Sequence, residues 1–183
     1  MIELLIVIGV LGILAVGVLA AIDPFEQLKK ARDTNTRASV ISLHTAFTRY
    51  YATHNALPWN MSPVLTGCST TAQVAVAAGV ALSNAGMTAC VNLGPEADGE
   101  LKTGFVTNLG SAVAGSIYIQ SATSGSVNVC FSPVSKSMFA EEATKFSSGG
   151  VDESGTGGAC TLVLKQAMTP GSGASSACYY CAK

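Results

Sequence analysis

The chain has 183 residues, of which 10 are Lys or Arg and 11 are Asp or Glu, so the net charge is −1 and only 11% of residues are charged. This balance gives no electrostatic reason to expect binding to nucleic acid or to an anionic membrane surface. The mean hydropathy of +0.42 is raised by the amino-terminal segment. The remainder is long enough for one small globular domain.

The amino-terminal segment is apolar and carries a single charge, on Glu3. From Leu4 to Ile22 there are 19 consecutive uncharged residues, and 13 of them are Leu, Ile or Val. A segment of this length is sufficient to cross a bilayer. In water it would forgo burial worth roughly 1.5–3 kcal/mol for each large aliphatic side chain. We therefore expect it to lie in lipid or against other copies of itself, with Glu3 neutralised or paired.

Three kinds of apolar terminus could account for this amino-terminal segment. A cleaved secretory signal has a basic region ahead of its apolar run, and Glu3 stands where that base belongs. A plain membrane anchor followed by Lys29, Lys30, Arg32 and Arg37 would keep the rest of the chain in the cytoplasm, where six cysteines are unexpected. A span whose basic leader was removed after it had set the orientation reconciles both observations.

Residues 23–55 favour a helix with one apolar face. The positions of this face are Val40, Leu43, Phe47, Tyr50, Tyr51 and His54. A helix from about residue 2 to residue 53 is predicted, interrupted at Asp23-Pro24 because proline lacks an amide donor. Together with Gly12 and Gly17, this interruption predicts a weakened or melted stretch between about residues 12 and 23. Leu57-Pro58 ends the helix.

The start of the chain reads Ile2-Glu3-Leu4-Leu5-Ile6-Val7-Ile8, followed by Gly9, Gly12-Ile13-Leu14-Ala15 and a proline just beyond the apolar run. This pattern resembles the N-terminus of mature type IV pilins and pseudopilins, closely over roughly the first 30 residues. Mature members of that family begin with an N-methylated Phe and one further residue ahead of the stretch that starts here at Met1. The resemblance therefore implies preceding residues and a methylated terminus.

The fold that the resemblance implies is α+β, a lollipop shape in which a long N-terminal helix packs on a small antiparallel sheet in a disulfide-stabilised head. Its three parts would be residues 1–24 as an apolar filament-core or transmembrane segment, 25–56 as the amphipathic second half of the helix, and 57–183 as the head. The residues expected to take part in subunit assembly are Glu3, Leu4, Leu5, Ile6, Val7, Ile8, Gly9, Gly12, Gly17 and Pro24.

The function that the resemblance implies is that of a major structural subunit of a bacterial type IV pilus-like surface filament. Its partners would be identical subunits, the inner membrane before assembly, a prepilin peptidase, and an assembly ATPase with its platform. The Glu3 carboxylate would neutralise the terminal amine of a neighbouring subunit. A pseudopilin or minor pilin of a type II secretion or competence system is the alternative within the same class.

The head is predicted to contain an antiparallel sheet. Strands are predicted at Ser116–Ala122, Ser126–Ser132 and Thr161–Gln166, with a hairpin turn at Thr123-Ser124-Gly125 and a further strand at Lys136–Ala140. Residues 60–115 are predicted as a connection that contains one helix, at Ala72–Leu82. Residues 146–159 and 169–177 are rich in Gly and Ser and are predicted as flexible loops.

Six cysteines follow residue 60: Cys68, Cys90, Cys130, Cys160, Cys178 and Cys181. In an oxidising compartment this number predicts up to three disulfides, with 15 possible connectivities. Cys68–Cys90 is preferred because it closes one loop region. The other four are compatible with Cys130–Cys181 and Cys160–Cys178, and other pairings among them stay open.

Catalytic and metal-binding patterns are weak in this sequence. Cys178-Tyr179-Tyr180-Cys181 has the spacing of a redox dithiol, so a membrane-tethered thiol oxidoreductase is the alternative from a different functional class. The other cysteine spacings do not provide the second close pair of a zinc site. Glu96, Asp98 and Glu100 lack EF-hand spacing and are interpreted as an exposed acidic turn rather than a calcium site. No enzyme motif is present, and no cofactor is expected.

Overall fold

The computed structural model describes residues 2–21, 23–70, 74–75, 78–121, 125–155, 158–161, 165 and 178–183, without the side chains of residues 19–21. Within these residues the chain is α+β, as predicted, with a long N-terminal helical part and a five-stranded antiparallel sheet. The helices are α1 (Ile2–Ala21), α2 (Pro24–His54), α3 (Ala85–Leu93), α4 (Phe105–Leu109), α5 (Ser111–Ser116) and α6 (Lys136–Phe139). The strands are β1 (Val80–Ala81), β2 (Ile117–Gln120), β3 (Asn128–Phe131), β4 (Thr144–Phe146) and β5 (Tyr179–Ala182).

The N-terminal helical part is divided between Ala21 and Pro24. Pro24 occupies the first position of α2, where its missing amide hydrogen leaves no helical hydrogen bond unmade. The Asp23 carboxylate caps the helix by accepting hydrogen bonds from the amides of Phe25 (3.1 Å) and Glu26 (3.3 Å). The predicted interruption is therefore confirmed. The melting predicted for residues 12–23 is wrong for the single subunit, because α1 remains helical to Ala21.

The second helix packs its apolar face on the sheet, mainly against β3 and β5. Val40, Leu43 and Phe47 are fully buried and Tyr50 nearly so, which confirms that part of the predicted face. The helix ends at Asn55, whose left-handed backbone (φ 52°) lets its amide donate to the carbonyl of Tyr51 at 2.7 Å. The amphipathic half of the helix thus forms one wall of the head.

The sheet has the order β1-β2-β3-β5-β4, and every neighbouring pair is antiparallel. Strands β2 and β3 form the predicted hairpin, with Ile117 opposite Phe131 and Gln120 opposite Asn128. Of the predicted turn, Thr123 and Ser124 lie outside the described part. The C-terminal strand β5 was not predicted, although it lies between β3 and β4.

One strand prediction in the head is wrong, and one helix prediction is wrong at its end. The segment predicted as a strand at Lys136–Ala140 begins with helix α6, because the Ser135 hydroxyl accepts a hydrogen bond from the Met138 amide (3.4 Å) and caps a helical turn. The helix predicted at Ala72–Leu82 gives way to β1 at its end, and residues 71–73 and 76–77 lie outside the described part.

Other head predictions have mixed outcomes. The segment 60–115, predicted as a connection, contains α3, α4 and most of α5. Most of the strand predicted at Thr161–Gln166, and all of residues 169–177, lie outside the described part. Within the predicted loop 146–159, Phe146 forms an antiparallel bridge with Asp152, so part of that loop is hydrogen-bonded.

The hydrophobic core lies between α2, the sheet and the segment 57–109. The Trp59 ring meets the Phe47 ring edge to face, with centroids 5.2 Å apart. Met87 and Val91 of α3 are fully buried in the same core. Of the helical part as far as it is described, the second half alone contributes side chains to this core.

Candidate assembly surface

The first helix exposes its apolar side chains on every side. All described side chains from Ile2 to Val18 are exposed, and the exposed fractions of the large aliphatic ones range from 52% at Val10 to 77% at Ile2. A helix that is apolar all round is typical of a buried helix rather than of a surface helix. The surface of α1 is therefore the principal candidate for contact with another molecule.

The sequence predicts a bilayer-length span over residues 4–22, of which Ile22 lies outside the described part. Among the described residues, no helix is both long enough and apolar enough to cross a membrane.

Glu3 is the only charged residue of α1 and lies in its first turn. Its side chain is exposed, and within the described part of the chain it makes no ion pair or hydrogen bond. A carboxylate in the first turn interacts favourably with the positive end of the helix dipole. Glu3 is thus compatible with the helix itself, but none of the described residues is a partner for its carboxylate.

Three glycines interrupt the aliphatic surface of α1: Gly9, Gly12 and Gly17. A Cβ atom added to any of them would meet no atom within 4 Å. The packing of the subunit therefore does not require glycine at these positions, although each glycine weakens a helix by roughly 0.5–1 kcal/mol relative to alanine. Close approach of another helix is a physical reason for such residues.

The apolar surface continues past Pro24 onto the first turns of α2. Phe25 is 74% exposed and Leu28 is 64% exposed. Beside them the Lys29 ammonium donates a hydrogen bond to Glu26 at 2.8 Å, and this bond lowers the pKa of the Glu26 carboxyl. Thus Glu26 and Lys29, which follow Phe25 and Leu28 in the sequence, are already paired with each other within the subunit.

The buried carboxylate of Asp33 was not identified from the sequence. Asp33 is only 3% exposed and accepts hydrogen bonds from the Val134 amide (2.9 Å), the Ser135 amide (2.7 Å) and the Ser135 hydroxyl (2.7 Å). These bonds attach the first half of α2 to the segment between β3 and α6. Their donors lie about a hundred residues away in the sequence, so no local pattern indicates the contact.

The structure contains three disulfides: Cys68–Cys90, Cys130–Cys181 and Cys160–Cys178. The first is the pair preferred from the sequence, and the other two are the compatible pairings named there, among which the sequence did not decide. The first joins α3 to the segment that precedes β1, and the second joins neighbouring strands β3 and β5. The third joins the residue before β5 to the segment 158–161. The C-terminal strand is therefore linked covalently to two parts of the head.

The CxxC pair does not form a disulfide with itself. Cys178 is bonded to Cys160, and Cys181 is bonded to Cys130. Cys178 lies just before strand β5, and Cys181 lies within it. A redox dithiol requires both sulfurs of the motif to exchange with each other. In this structure each sulfur is instead part of a separate cross-link.

The acidic turn at residues 96–100 contacts α2 and its own loop. One Glu96 oxygen accepts from the Gly104 amide at 2.7 Å, Asp98 lies 3.4 Å from a His54 ring nitrogen, and Glu100 lies 3.5 Å from Arg49. Among the described residues, no three metal-ligating side chains are grouped closely enough to hold an ion. These contacts therefore attach residues 96–100 of the head to the C-terminal end of α2.

Comparison with known proteins adds no relative to this description. No protein-family model, no curated protein and no solved structure matches the chain. A functional proposal must therefore rest on the exposed surface of α1 and on the sequence pattern around Glu3.

Proposed function

We propose that the chain is the structural subunit of an extracellular filament of the type IV pilus kind, and that its copies associate through α1. The observation that carries the proposal is the exposure of a helix segment, Ile2–Val18, that is apolar except for Glu3, on a chain whose head is folded and cross-linked. The resemblance of Ile2–Ile8 to the start of mature type IV pilins supports the same conclusion.

The free energy available from covering α1 is large. Each large aliphatic side chain contributes roughly 1.5–3 kcal/mol when it is fully removed from water. The aliphatic side chains of α1 would together contribute on the order of 10–30 kcal/mol, against a cost of association of about 4–15 kcal/mol. A head-to-tail contact between successive copies generates a helical filament when the rotation that it imposes does not close into a ring.

Glu3 has a selective role in this proposal. Among packed apolar helices its carboxylate would be desolvated, and an uncompensated buried charge costs about 3–5 kcal/mol. Only arrangements that bring a cationic group to Glu3 avoid this cost. Glu3 would therefore determine the register between copies more than the strength of their association.

The head would form the outer surface of the filament. Its three disulfides each restrict the unfolded chain, which typically contributes about 2–4 kcal/mol of stability. Such cross-links suit a subunit that experiences shear and proteases outside the cell. The inner membrane as the location of unassembled subunits, and the peptidase, ATPase and platform implied by the resemblance, remain predictions that accompany this proposal.

Electron microscopy of filaments sheared from cells that produce the chain tests the proposal. Glu3→Ala is expected to leave a folded subunit but to reduce filament yield by at least about tenfold, since a lost buried ion pair costs more than 1.4 kcal/mol. Glu142→Ala removes an exposed carboxylate of the head and serves as the matched control. A wild-type yield from Glu3→Ala would contradict the role of Glu3, and the absence of filaments containing the chain would contradict the proposal.

The mass fraction of the chain in those filaments tests the narrower assignment. A major subunit would account for nearly all of the filament protein. A minor pilin or pseudopilin would be scarce, and finding it so would move the proposal to that alternative.

A further inference from the structure

A cleft of about 250 Å³ lies between the first half of α2 and helices α4 and α5. On the α2 side it is lined by Arg32 and Asn35, and on the other side by Asn108, Leu109 and Val113. Phe25 and Leu28 precede Arg32 by seven and four residues, so helical geometry places them along the same side of α2. The cleft therefore adjoins the exposed apolar surface that begins on α1 and continues onto α2.

The Thr36 and Ser39 hydroxyls of the cleft donate hydrogen bonds to backbone carbonyls of α2, but its longer polar side chains are unpaired within the described part of the subunit. In the part of the chain that the structure describes, Arg32 has no ion pair, and the side-chain amides of Asn35 and Asn108 make no hydrogen bond. The other arginines of α2 are engaged: Arg37 lies 3.3 Å from Glu141, and Arg49 pairs with Glu100. Arg32 is thus the arginine of α2 that remains available.

The chemistry of the cleft defines what it can hold. A guanidinium and two amides are donors that suit a carboxylate, and Leu109 and Val113 beside them suit aliphatic groups. The ligand should therefore carry a carboxylate next to aliphatic side chains.

One exposed element of this chain has that composition. In the first turns of α1, Glu3 shares one face with Ile6 and Val7, because residues three and four apart are neighbours on a helix. All three side chains are exposed. The charge of Glu3 is opposite to that of Arg32, and neither group has an ionic partner within the described part of its own subunit.

We propose that the cleft beside Arg32 receives the first turns of α1 from a second copy of the chain, with Glu3 opposite Arg32 and with Ile6 and Val7 against Leu109 and Val113. This inference rests on the proposed filament function and identifies the partner surface of α1. It assigns the ionic partner of Glu3 to a side chain on α2 rather than to a terminal amine. The contact joins two different surfaces of successive copies, which is the type of interface from which a helical filament is built.

A charge exchange tests the pair. Arg32→Glu is expected to reduce filament yield by at least about tenfold, because it places two carboxylates together in a desolvated contact. Lys30→Glu makes the same change of charge at an exposed position that does not line the cleft, and its effect is expected to stay below about twofold. Glu3→Arg combined with Arg32→Glu is expected to recover filaments relative to either single variant.

A photo-crosslinking residue tests the location directly. With p-benzoylphenylalanine at Asn108, irradiated filaments should yield a two-chain product whose cross-link maps to residues 2–7 of the second copy. The same residue at Ile41 is the control, since Ile41 is nine residues from Arg32 and lies on the opposite side of α2. Capture of a different segment, a lipid or another protein at Asn108 would overturn the proposed occupant.

The outcomes separate this inference from the function on which it rests. If the wild type and Arg32→Glu form filaments equally well, the pair is wrong while the filament function stands. If the double exchange fails to recover filaments that both single variants have lost, the direct pairing is overturned. If the wild-type chain forms no filaments at all, both the inference and the proposed function are overturned.

Discussion

The helices α1 and α2 follow each other in the chain, yet they place their apolar side chains in opposite environments. In α2 the large apolar residues are concentrated on one face, and Val40, Leu43 and Phe47 are fully buried against the sheet. In α1 they surround the whole helix, and Ile13 is 76% exposed. The difference shows that α2 is stabilised by its own head, whereas α1 has an amount of apolar surface that only another molecule can cover.

Paired substitutions in the two helices would give the largest contrast. Phe47→Ala removes a ring that packs on Trp59 in the core, and it is expected to lower the free energy of unfolding by about 3–5 kcal/mol. Ile13→Ala removes an exposed aliphatic side chain and is expected to leave the unfolding of the head unchanged. Urea titration monitored by Trp59 fluorescence measures both. Equal losses from the two variants would contradict the division between the helices.

Asp33 attaches the first half of α2, the half nearest to α1, to the head. Asp33→Ala removes the acceptor for two backbone amides and the Ser135 hydroxyl, and leaving buried donors without an acceptor costs about 1–3 kcal/mol. Glu26→Ala removes a partly exposed carboxylate that also accepts from a backbone amide, that of Lys136, and a smaller loss is expected.

Hydrogen exchange at the amides of Val134 and Ser135 measures this attachment directly. Faster exchange in Asp33→Ala than in Glu26→Ala is expected. Unchanged protection of both amides in Asp33→Ala would show that the carboxylate does not hold the segment in place.

The sequence predicted those elements of the fold that depend on residues close to each other in the chain, and it missed elements that depend on distant residues. Strands β2 and β3 and the interruption at Asp23-Pro24 were predicted, because alternation, turn residues and proline act within a few positions. Strand β5 was missed because its neighbours are far away in the sequence: Cys181 lies opposite Cys130 only once the sheet has formed. The helix at α6 was mistaken for a strand because the capping by Ser135 was overlooked.

Some features of the candidate surface could be predicted from the sequence, and others could not. The apolar length of α1 and the isolated charge of Glu3 are visible in the sequence alone. The roles of Asp33 and Arg32 are not, since Asp33 bonds to residues about a hundred positions away and the Arg32 cleft is completed by Asn108. Patterns within one element identified the surface that is left exposed, whereas the cleft proposed to receive it is assembled only in the folded head.

The smallest expected effect concerns His44, a half-buried residue of α2 that has no counterpart in α1. Burial lowers the pKa of the His44 imidazole, so the folded state favours its neutral form more strongly than the unfolded state does. The resulting stability is fully present above the unfolded pKa of about 6.5 and is lost as the pH falls from there through the folded pKa. Urea midpoints at about pH 7.5 and about pH 5 should therefore differ more for the wild type than for His44→Gln. The pKa of Glu26 is also lowered, but its contribution is lost only below about pH 4.5. An identical pH dependence in both proteins would contradict this prediction, because it would show that burial on α2 does not disfavour the protonated form of His44.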